Sequence, residues 1–267
     1  MAVPERLEAH AEALRRAVET GQPVAPLTDN DPELSVADAY AIQLANVDHA
    51  VAAGRRIIGH KVGLTSRAMQ EMLGVGEPDF GVLTDDMLID DGADVDLASL
   101  LQPRVEAEIA LVLERQLQGP GVTVADALGA IGYVVPAFEI IDSRIADWRI
   151  SLPDTIADNG SSARFVLGAQ RTSIAGLDLR LIGMAFSRNG VFVDSGAGAA
   201  ALGHPARCVA WLANKLAGFD VVLAAGELIL PGALHRAVDA TPGDFFLAEF
   251  AQIGSVRVRF SGEASGR

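Results

Sequence analysis

With 267 residues, half of them apolar, the chain can bury one large core, or a small cap joined to a larger body. Its formal net charge of −14 and the lack of a Lys/Arg stripe exclude a phosphate-neutralising nucleic-acid binder. A single cysteine, Cys208, excludes an internal disulfide and any Cys-based zinc or iron–sulfur centre, and no apolar run approaches the ~18 residues of a membrane helix.

The N-terminal stretch MAVPERLEAHAEALRR carries early charge and no apolar signal segment, so a cytoplasmic protein is expected. Residues 4–20 read as a helix. Pro4 suits its first turn, Leu7, Ala11, Leu14 and Val18 form a stripe, and Gly21 can cap its end. After QPVAPLTDNDPEL, Ser35 and Asp38 form a capping box for a second helix. Its stripe is Tyr40, Leu44, Val47 and Val51, and Gly54 ends it. This helical region, 1–55, is expected to be a cap or dimerisation element integrated with a β-rich catalytic core over 56–262.

RRIIGHKVGLT then alternates as a strand, with Ile58, His60, Val62 and Leu64 on one face and Ile57, Lys61 and Thr65 on the other. SRAMQEML, 66–73, predicts a short helix, and GVGEPDFGVLTDDM reads as loop. PRVEAEIALVLERQL admits two readings. Its composition favours a helix, while alternation at Val105, Ala107, Ile109, Leu111 and Leu113 favours a strand. On a helix, Glu106 and Glu108 would point about 200° apart. On a strand they share a face roughly 7 Å apart, within reach of one metal ion. The strand is preferred, partly because Pro103 precedes it.

A short helix over 124–132 and a strand over 133–141 follow, with Pro136 marking an edge or a bulge. DSRIADWRISLPDTIADNGSSARF reads mostly as loop. LRLIGMAFSRNGVFVDSG is a hairpin turning at Asn189-Gly190. Residues 204–217 form a helix begun by Pro205, with Val209, Leu212 and Leu216 as its stripe. ELILPGAL and DFFLAEFAQIGSVRVRFSG supply the last strands. Helices first, then a strand-rich body with one late helix, make the class α+β. No GxGxxG or Walker A pattern is present, and GAGAA at 196–200 lacks the fingerprint spacing.

Three carboxylates stand where a core should be apolar: Glu106, Glu108 and, in YVVPAFEIIDSR, Glu139. A buried ionised carboxylate is unfavourable by several kcal/mol unless it is paired or bound to a metal. Either Glu106 or Glu108 alone could be the wet side of an amphipathic strand, but Glu139 has no polar company. Three carboxylates without His or Cys suit a hard divalent cation such as Mg2+ or Mn2+. Lys61, among Ile57, Ile58, Val62 and Leu64, reads first as a snorkelling side chain, and beside an anionic metal site as a neutralising or proton-shuttling one. His60, on the opposite face, reads as structural, and Cys208 as a small core residue. Asp79 in PDFG is ordinarily an Asx-turn residue. Asp142, Ser143 and Arg144 could support Glu139 from behind. Asp158, Asn159, Ser161 and Ser162 in ADNGSS could bind a carboxylate or form an ordinary turn.

GHKVGLTSRAMQEMLGVGEPDFGVLTDDM, LQPRVEAEIALVLERQL, PAFEIIDSRIADWRI and DTIADNGSSARFVLG together resemble the 2-keto-4-pentenoate hydratase family of the fumarylacetoacetate hydrolase superfamily. The likeness runs from DAYAIQLANV through GAGAAALGHPARCVAWLANKL to IGSVRVRF, nearly the whole chain. It implies an N-terminal helical cap on a mixed β-sheet body of the fumarylacetoacetate hydrolase C-terminal-domain type. It implies that Glu106, Glu108 and Glu139 are the metal ligands, that Lys61 and Asp79 line the catalytic pocket, and that Ser161, Asn159 and Asp158 contact substrate. The implied reaction is metal-dependent hydration of 2-hydroxypenta-2,4-dienoate, or a close homologue, to 4-hydroxy-2-oxopentanoate in meta-cleavage degradation of aromatic compounds. The substrate would chelate the metal, which would stabilise enolate charge. A small anionic substrate, a homo-oligomer, and a pathway decarboxylase or aldolase as partner complete that expectation. The same-fold alternative is a 4-oxalocrotonate-type decarboxylase; a C–C hydrolase and a non-catalytic assembly subunit are weaker. Two positions depart from the family pattern: Gly160 stands where Ala is usual, and Pro231 where Thr or Ser is usual.

Overall fold

The structure, a computed structural model, describes residues 4–66, 70, 71 and 74–262. The helix expected over 66–73 lies largely outside the described residues. Helices α1 (Glu5–Thr20), α2 (Leu27–Asn30) and α3 (Val36–Ala52) come first. Gly21 caps α1 in the left-handed region, and Ser35 and Asp38 form the expected capping box on α3.

The stripe of α1 holds at three of its four expected residues, whereas that of α3 is rotated. Helix α1 buries Leu7, Ala11, Leu14 and Ala17, leaving Val18 57 % exposed. Helix α3 buries Ala39, Tyr40, Ile42 and Gln43 rather than Leu44, Val47 and Val51. The reason is polar as well as apolar. The Gln43 amide nitrogen donates to the carbonyls of Phe80 and Ile156, at 2.9 and 2.8 Å, and Tyr40 stacks on Phe80. Hydropathy alone does not reveal a buried glutamine.

The body holds two sheets. The larger contains β1 (Ile57–Gly63), β2 (Asp79–Thr84), β3 (Leu88–Ile89), β5 (Arg104–Leu113), β6 (Ile131–Ile141), β7 (Ser162–Leu167), β8 (Thr172–Ser173), β11 (Leu228–Leu230) and β12 (Val238–Asp239). Its main path is β2-β1-β11-β5-β6-β7-β3, with β12 paired to β5 and β8 to β6. The smaller contains β4 (Asp94–Asp96), β9 (Gly183–Arg188), β10 (Val191–Ala197), β13 (Phe245–Phe250) and β14 (Gly254–Ser261). Helices α4 (Val124–Ala130), α5 (Leu152–Ala157) and α6 (Pro205–Leu216) complete the α+β body.

Segment 104–113 is a strand, as its alternation required. Val105, Ala107, Ile109, Leu111 and Leu113 face the main core, which also takes in Leu7 and Leu14 of α1 and Phe246 and Phe260 of the small sheet. The opposite face carries Ala110 and Val112 into a second cluster with Leu83, Val135, Phe165 and Leu230. Glu106 and Glu108 share that second face by alternation. The Asn189-Gly190 turn, both residues at positive φ, joins β9 to β10. Strand β10 is an edge, with Val191 and Phe192 about two-thirds exposed.

Three expectations are corrected. GVGEPDFGVLTDDM is not all loop, because Asp79–Thr84 form the fully buried β2, paired antiparallel to β1. The polar stretch after Glu139 contains α5 and β7. Pro136 lies inside the central β6, opposite Ile109, not on an edge strand. It is tolerated because its carbonyl accepts from Gly168 where the neighbouring chain leaves β7 before reforming as β8, so no ladder carbonyl there requires its missing N–H.

Candidate active site

The register of β5 and β6 sets Glu106 directly opposite Glu139, with Glu108 one pair further along that face. Like charges directly opposite destabilise a sheet, so this pairing calls for a cation. One carboxylate oxygen from each of Glu106, Glu108 and Glu139 lies within 4.8 Å of the others. Glu108 Oε2 accepts the Gly232 N–H at 2.8 Å. Glu108 Oε1 and Glu139 Oε1 are buried without a hydrogen-bond partner among the described residues. Burial, reinforced by Glu139, raises the Glu106 pKa to about 7 and moves Glu108 well above the carboxylate range. Burial raises Glu139 too, opposed by Lys61. Orphaned, crowded oxygens of this kind fit a hard divalent ion.

Lys61 does not snorkel. Its side chain is 6 % exposed, with Nζ donating to the Gly160 carbonyl at 2.9 Å and lying 3.6 Å from Glu139 Oε1. Burial alone would lower its pKa, but Glu139, Asp79, Glu106 and Glu108 outweigh that and raise it. It is therefore held as a cation. Gly59 and Gly63 flank it on the same strand face. A Cβ at Gly63 would sit 2.1 Å from Asp79 Oδ1 and 3.0 Å from Lys61 Nζ, so only glycine leaves room for both groups.

Asp79 is a buried strand residue paired with Gly63, not a turn residue. Its Oδ2 accepts from Thr155 Oγ1 at 3.5 Å, and its Oδ1 has no hydrogen-bond partner among the described residues. Burial raises its pKa against the pull of Lys61.

The ADNGSS segment forms a turn against the end of the Lys61 side chain. Asn159, Gly160 and Ser161 all have positive φ, near 57°, 60° and 56°. Such a left-handed run persists only where its surroundings fix it. The Asn159 amide accepts the Val82 N–H at 2.7 Å and donates to the Val82 carbonyl at 2.9 Å, extending the free edge of β2. The Asp158 carboxylate is taken up by the Arg144 guanidinium and backbone N–H and by the hydroxyls of Ser143 and Ser161. The side chains of Asp158, Asn159 and Ser161 thus bind their own scaffold, and the group they deliver to the cluster is the Gly160 carbonyl. Asp142 likewise receives the N–H groups of Leu101 and Gln102, just before the ligand strand.

Other candidates fall outside. His60 faces away from the cluster, 3.6 Å from Glu227 Oε2, with its pKa lowered by burial to about 4. His204 caps α6 through Nδ1. Cys208 is core. A cavity of about 380 Å³ beside the start of β5, lined by Arg104, Trp148 and Asp239, contains none of the five clustered groups. Gly232 and Thr155 were not legible as site residues; only the Pro-Gly step at 231–232 hints at a close backbone approach.

Residues 38–261 match the fumarylacetoacetate hydrolase C-terminal family. The chain is 49 % identical over 257 residues to a 2-keto-4-pentenoate hydratase from Paraburkholderia xenovorans (strain LB400), covering 96 % of each. It is 48 % identical to a 2-hydroxyhexa-2,4-dienoate hydratase from Comamonas testosteroni, covering 96 % of this chain and 97 % of that one. The solved 4-oxalocrotonate decarboxylase from Pseudomonas putida G7, complexed with magnesium and adipate, superposes with a TM-score of 0.94 at 39 % identity, covering 97 % of this chain and 99 % of that one.

Proposed function

The chain belongs to the fumarylacetoacetate hydrolase family, and from that premise we propose that it is a hydro-lyase. It hydrates 2-hydroxypenta-2,4-dienoate or a close homologue to 4-hydroxy-2-oxopentanoate. The observation that carries this reading is the cluster of partly exposed Glu106 with buried Glu108, Glu139, Lys61 and Asp79 in a chain nearly half identical to dienoate hydratases. The decarboxylase alternative is not favoured, because the relative bearing that name is only 39 % identical.

Glu106, Glu108 and Glu139 would hold a divalent cation, Mg2+ or Mn2+. That ion would supply Lewis-acid stabilisation of negative charge at the substrate carboxylate and C2 oxygen. Lys61 keeps its proton within the anionic cluster and is aimed by the Gly160 carbonyl, which suits it to deliver that proton to the dienol's terminal carbon. The dienol's O–H proton passes back to the neutral Lys61 amine, which restores the ammonium, and the diene becomes a conjugated ketone. Asp79 Oδ1, with a lone pair free of other partners among the described residues, orients water for addition and takes its proton. Oxygen then bonds to C4, and the proton taken by Asp79 passes to C3, which restores the Asp79 carboxylate. Asp158, Asn159 and Ser161 act indirectly, by holding the turn that carries Gly160.

The product is a β-hydroxy ketone, so an aldolase is the class of enzyme that can consume it. Assembly into a homo-oligomer belongs to the same reading, since Val18, Val51, Val191 and Phe192 are large apolar groups left exposed. The test is ultraviolet monitoring of enzymatically generated 2-hydroxydienoates of different tail length, with Mg2+ and with chelator. Metal-dependent loss of the dienoate without CO2 release is expected. Unchanged dienoate beside CO2 release from a 2-oxo dicarboxylate would replace hydration by decarboxylation.

A further inference from the structure

The edge of β5 away from β6 meets a partner chain of unequal length. Strand β11 pairs Ile229 with Leu111, and β12 pairs Val238 with Val105. Between those pairs, five residues of β5 (106–110) face eight of the partner (230–237). The surplus leaves the ladder as a turn, beside the two glutamates. A mismatch of this kind leaves backbone groups without ladder partners, and buried ones must be satisfied in some other way.

Ala107, between Glu106 and Glu108, is where the turn makes up the loss. Its carbonyl accepts the Leu234 N–H at 3.0 Å. Its own N–H donates to a side chain, His235 Nε2, at 3.0 Å. Gly232 from the same turn donates to Glu108 Oε2 at 2.8 Å. Three hydrogen bonds from residues 232–235 therefore end on residues 107 and 108.

His235 is itself fixed. Since Nε2 accepts, the ring proton belongs on Nδ1, which lies 2.6 Å from the Arg236 carbonyl and donates to it. One ring face stacks on Phe186, with centroids 4.3 Å apart. The imidazole is thus used at both nitrogens and on a face. Burial lowers its pKa, in keeping with the neutral ring.

We propose that His235 is a positioning residue for the metal site. By holding the Ala107 N–H it sets the orientation of the peptide units from which Glu106 and Glu108 project. In a strand, residues i−1 and i+1 share a face, so the torsions at Ala107 decide how far apart those two carboxylates lie. Metal–ligand distances tolerate only about ±0.2 Å, so a small change in that spacing registers as lost affinity. This inference rests on the reading of Glu106, Glu108 and Glu139 as ligands.

The test is Mn2+ binding to the metal-stripped full chain by isothermal titration and by the EPR signal of free Mn2+, with thermal melting alongside. His235→Phe keeps the ring and its stacking but removes the acceptor. His235→Gln places a carbonyl oxygen close to where Nε2 lies. His235→Phe is expected to weaken Mn2+ binding by about 10–100-fold, the range seen for partners that orient a ligand from behind, while His235→Gln stays within about threefold of the parent. Should His235→Phe fail to fold, His235→Asn, whose amide is too short to reach Ala107, takes its place with the same expectation. Parent-like Mn2+ affinity in the variant lacking the acceptor overturns the proposal, even if its melting temperature falls. A parent chain that binds no Mn2+ overturns the ligand reading, and this proposal with it.

Discussion

Glu106→Gln should stabilise the metal-free protein at alkaline pH while abolishing most of its response to metal. Glu106 has a folded pKa of about 7 against an ordinary 4.5, raised by burial and then by Glu139. The folded state therefore holds the proton more tightly than the unfolded chain. The stability this contributes is complete below the unfolded value and is lost as pH rises through about 7. A rise of that size corresponds to about 3 kcal/mol, an upper figure because the side chain is partly exposed and water screens it. Glu108, Glu139 and Asp79 are raised in the same direction, so metal-free parent protein should melt lower at about pH 8.5 than at about pH 6. A neutral amide cannot ionise. At about pH 8.5 in chelator the variant should therefore melt higher than the parent, by roughly 4–8 °C if about 2 kcal/mol is recovered. The gap should narrow as pH falls and close only below about pH 4, where Glu106 is protonated in both folded and unfolded chains. Saturating Mg2+ should reverse the order at alkaline pH, because ligand at about 100 times its Kd stabilises by about 2.7 kcal/mol and the variant has lost an anionic donor. Thermal melting by circular dichroism, with and without chelator, measures all of these quantities. A parent whose melting in chelator is flat between about pH 6 and pH 8.5, or a variant that melts below it at the upper value, would refute the reasoning.

Lys61→Met, similar in volume but uncharged, should lower kcat about 100-fold or more while Mn2+ affinity and KM change little. A raised KM at unchanged kcat would instead make Lys61 an anchor. Asn159→Ala should release the turn that carries the Gly160 carbonyl and lower kcat about tenfold, yet cost almost nothing further in a Lys61→Met background, as a double-mutant cycle would measure. Equal losses in both backgrounds would remove its link to Lys61. Light scattering at micromolar concentration should report a closed homo-oligomer, and a monomer would overturn that expectation.

Much of the site was legible because its signals were local. Glu106 and Glu108 announce themselves by charge inside an alternating apolar run, and Glu139 by its lack of polar neighbours. The choice of strand over helix for 104–113 followed from alternation, and it decided that the two carboxylates share a face. What was missed depends on distant parts of the chain. Asp79 reads locally as an Asx-turn residue and joins the catalytic set only through the family resemblance, because nothing local says that Asp79–Thr84 will pair with β1. The scaffold bonds of the ADNGSS side chains are not legible locally either, because Arg144 and Val82, their partners, lie elsewhere in sequence. The stripe of α3 is rotated toward one buried glutamine, Gln43, whose acceptors are carbonyls of β2 and α5. His235 drew no notice, since its role depends on an unequal count of residues between two paired strands.

The glycines packed against Lys61, Gly63 and Gly160, have a further consequence, in the heat and entropy of the reaction. A lysine side chain fixed in one arrangement forfeits about 2 kcal/mol of rotamer freedom. Here Gly63 and Gly160 leave room for the buried end of the side chain, and the Gly160 carbonyl fixes its tip. That loss is incurred once, when the chain folds, before any substrate arrives. The lysine therefore reaches the transition state without further ordering, and its share of the activation entropy should be close to zero. Temperature dependence of kcat should accordingly show a barrier that is chiefly enthalpic. Replacing Gly160 by a residue that displaces its carbonyl would make the activation entropy more negative.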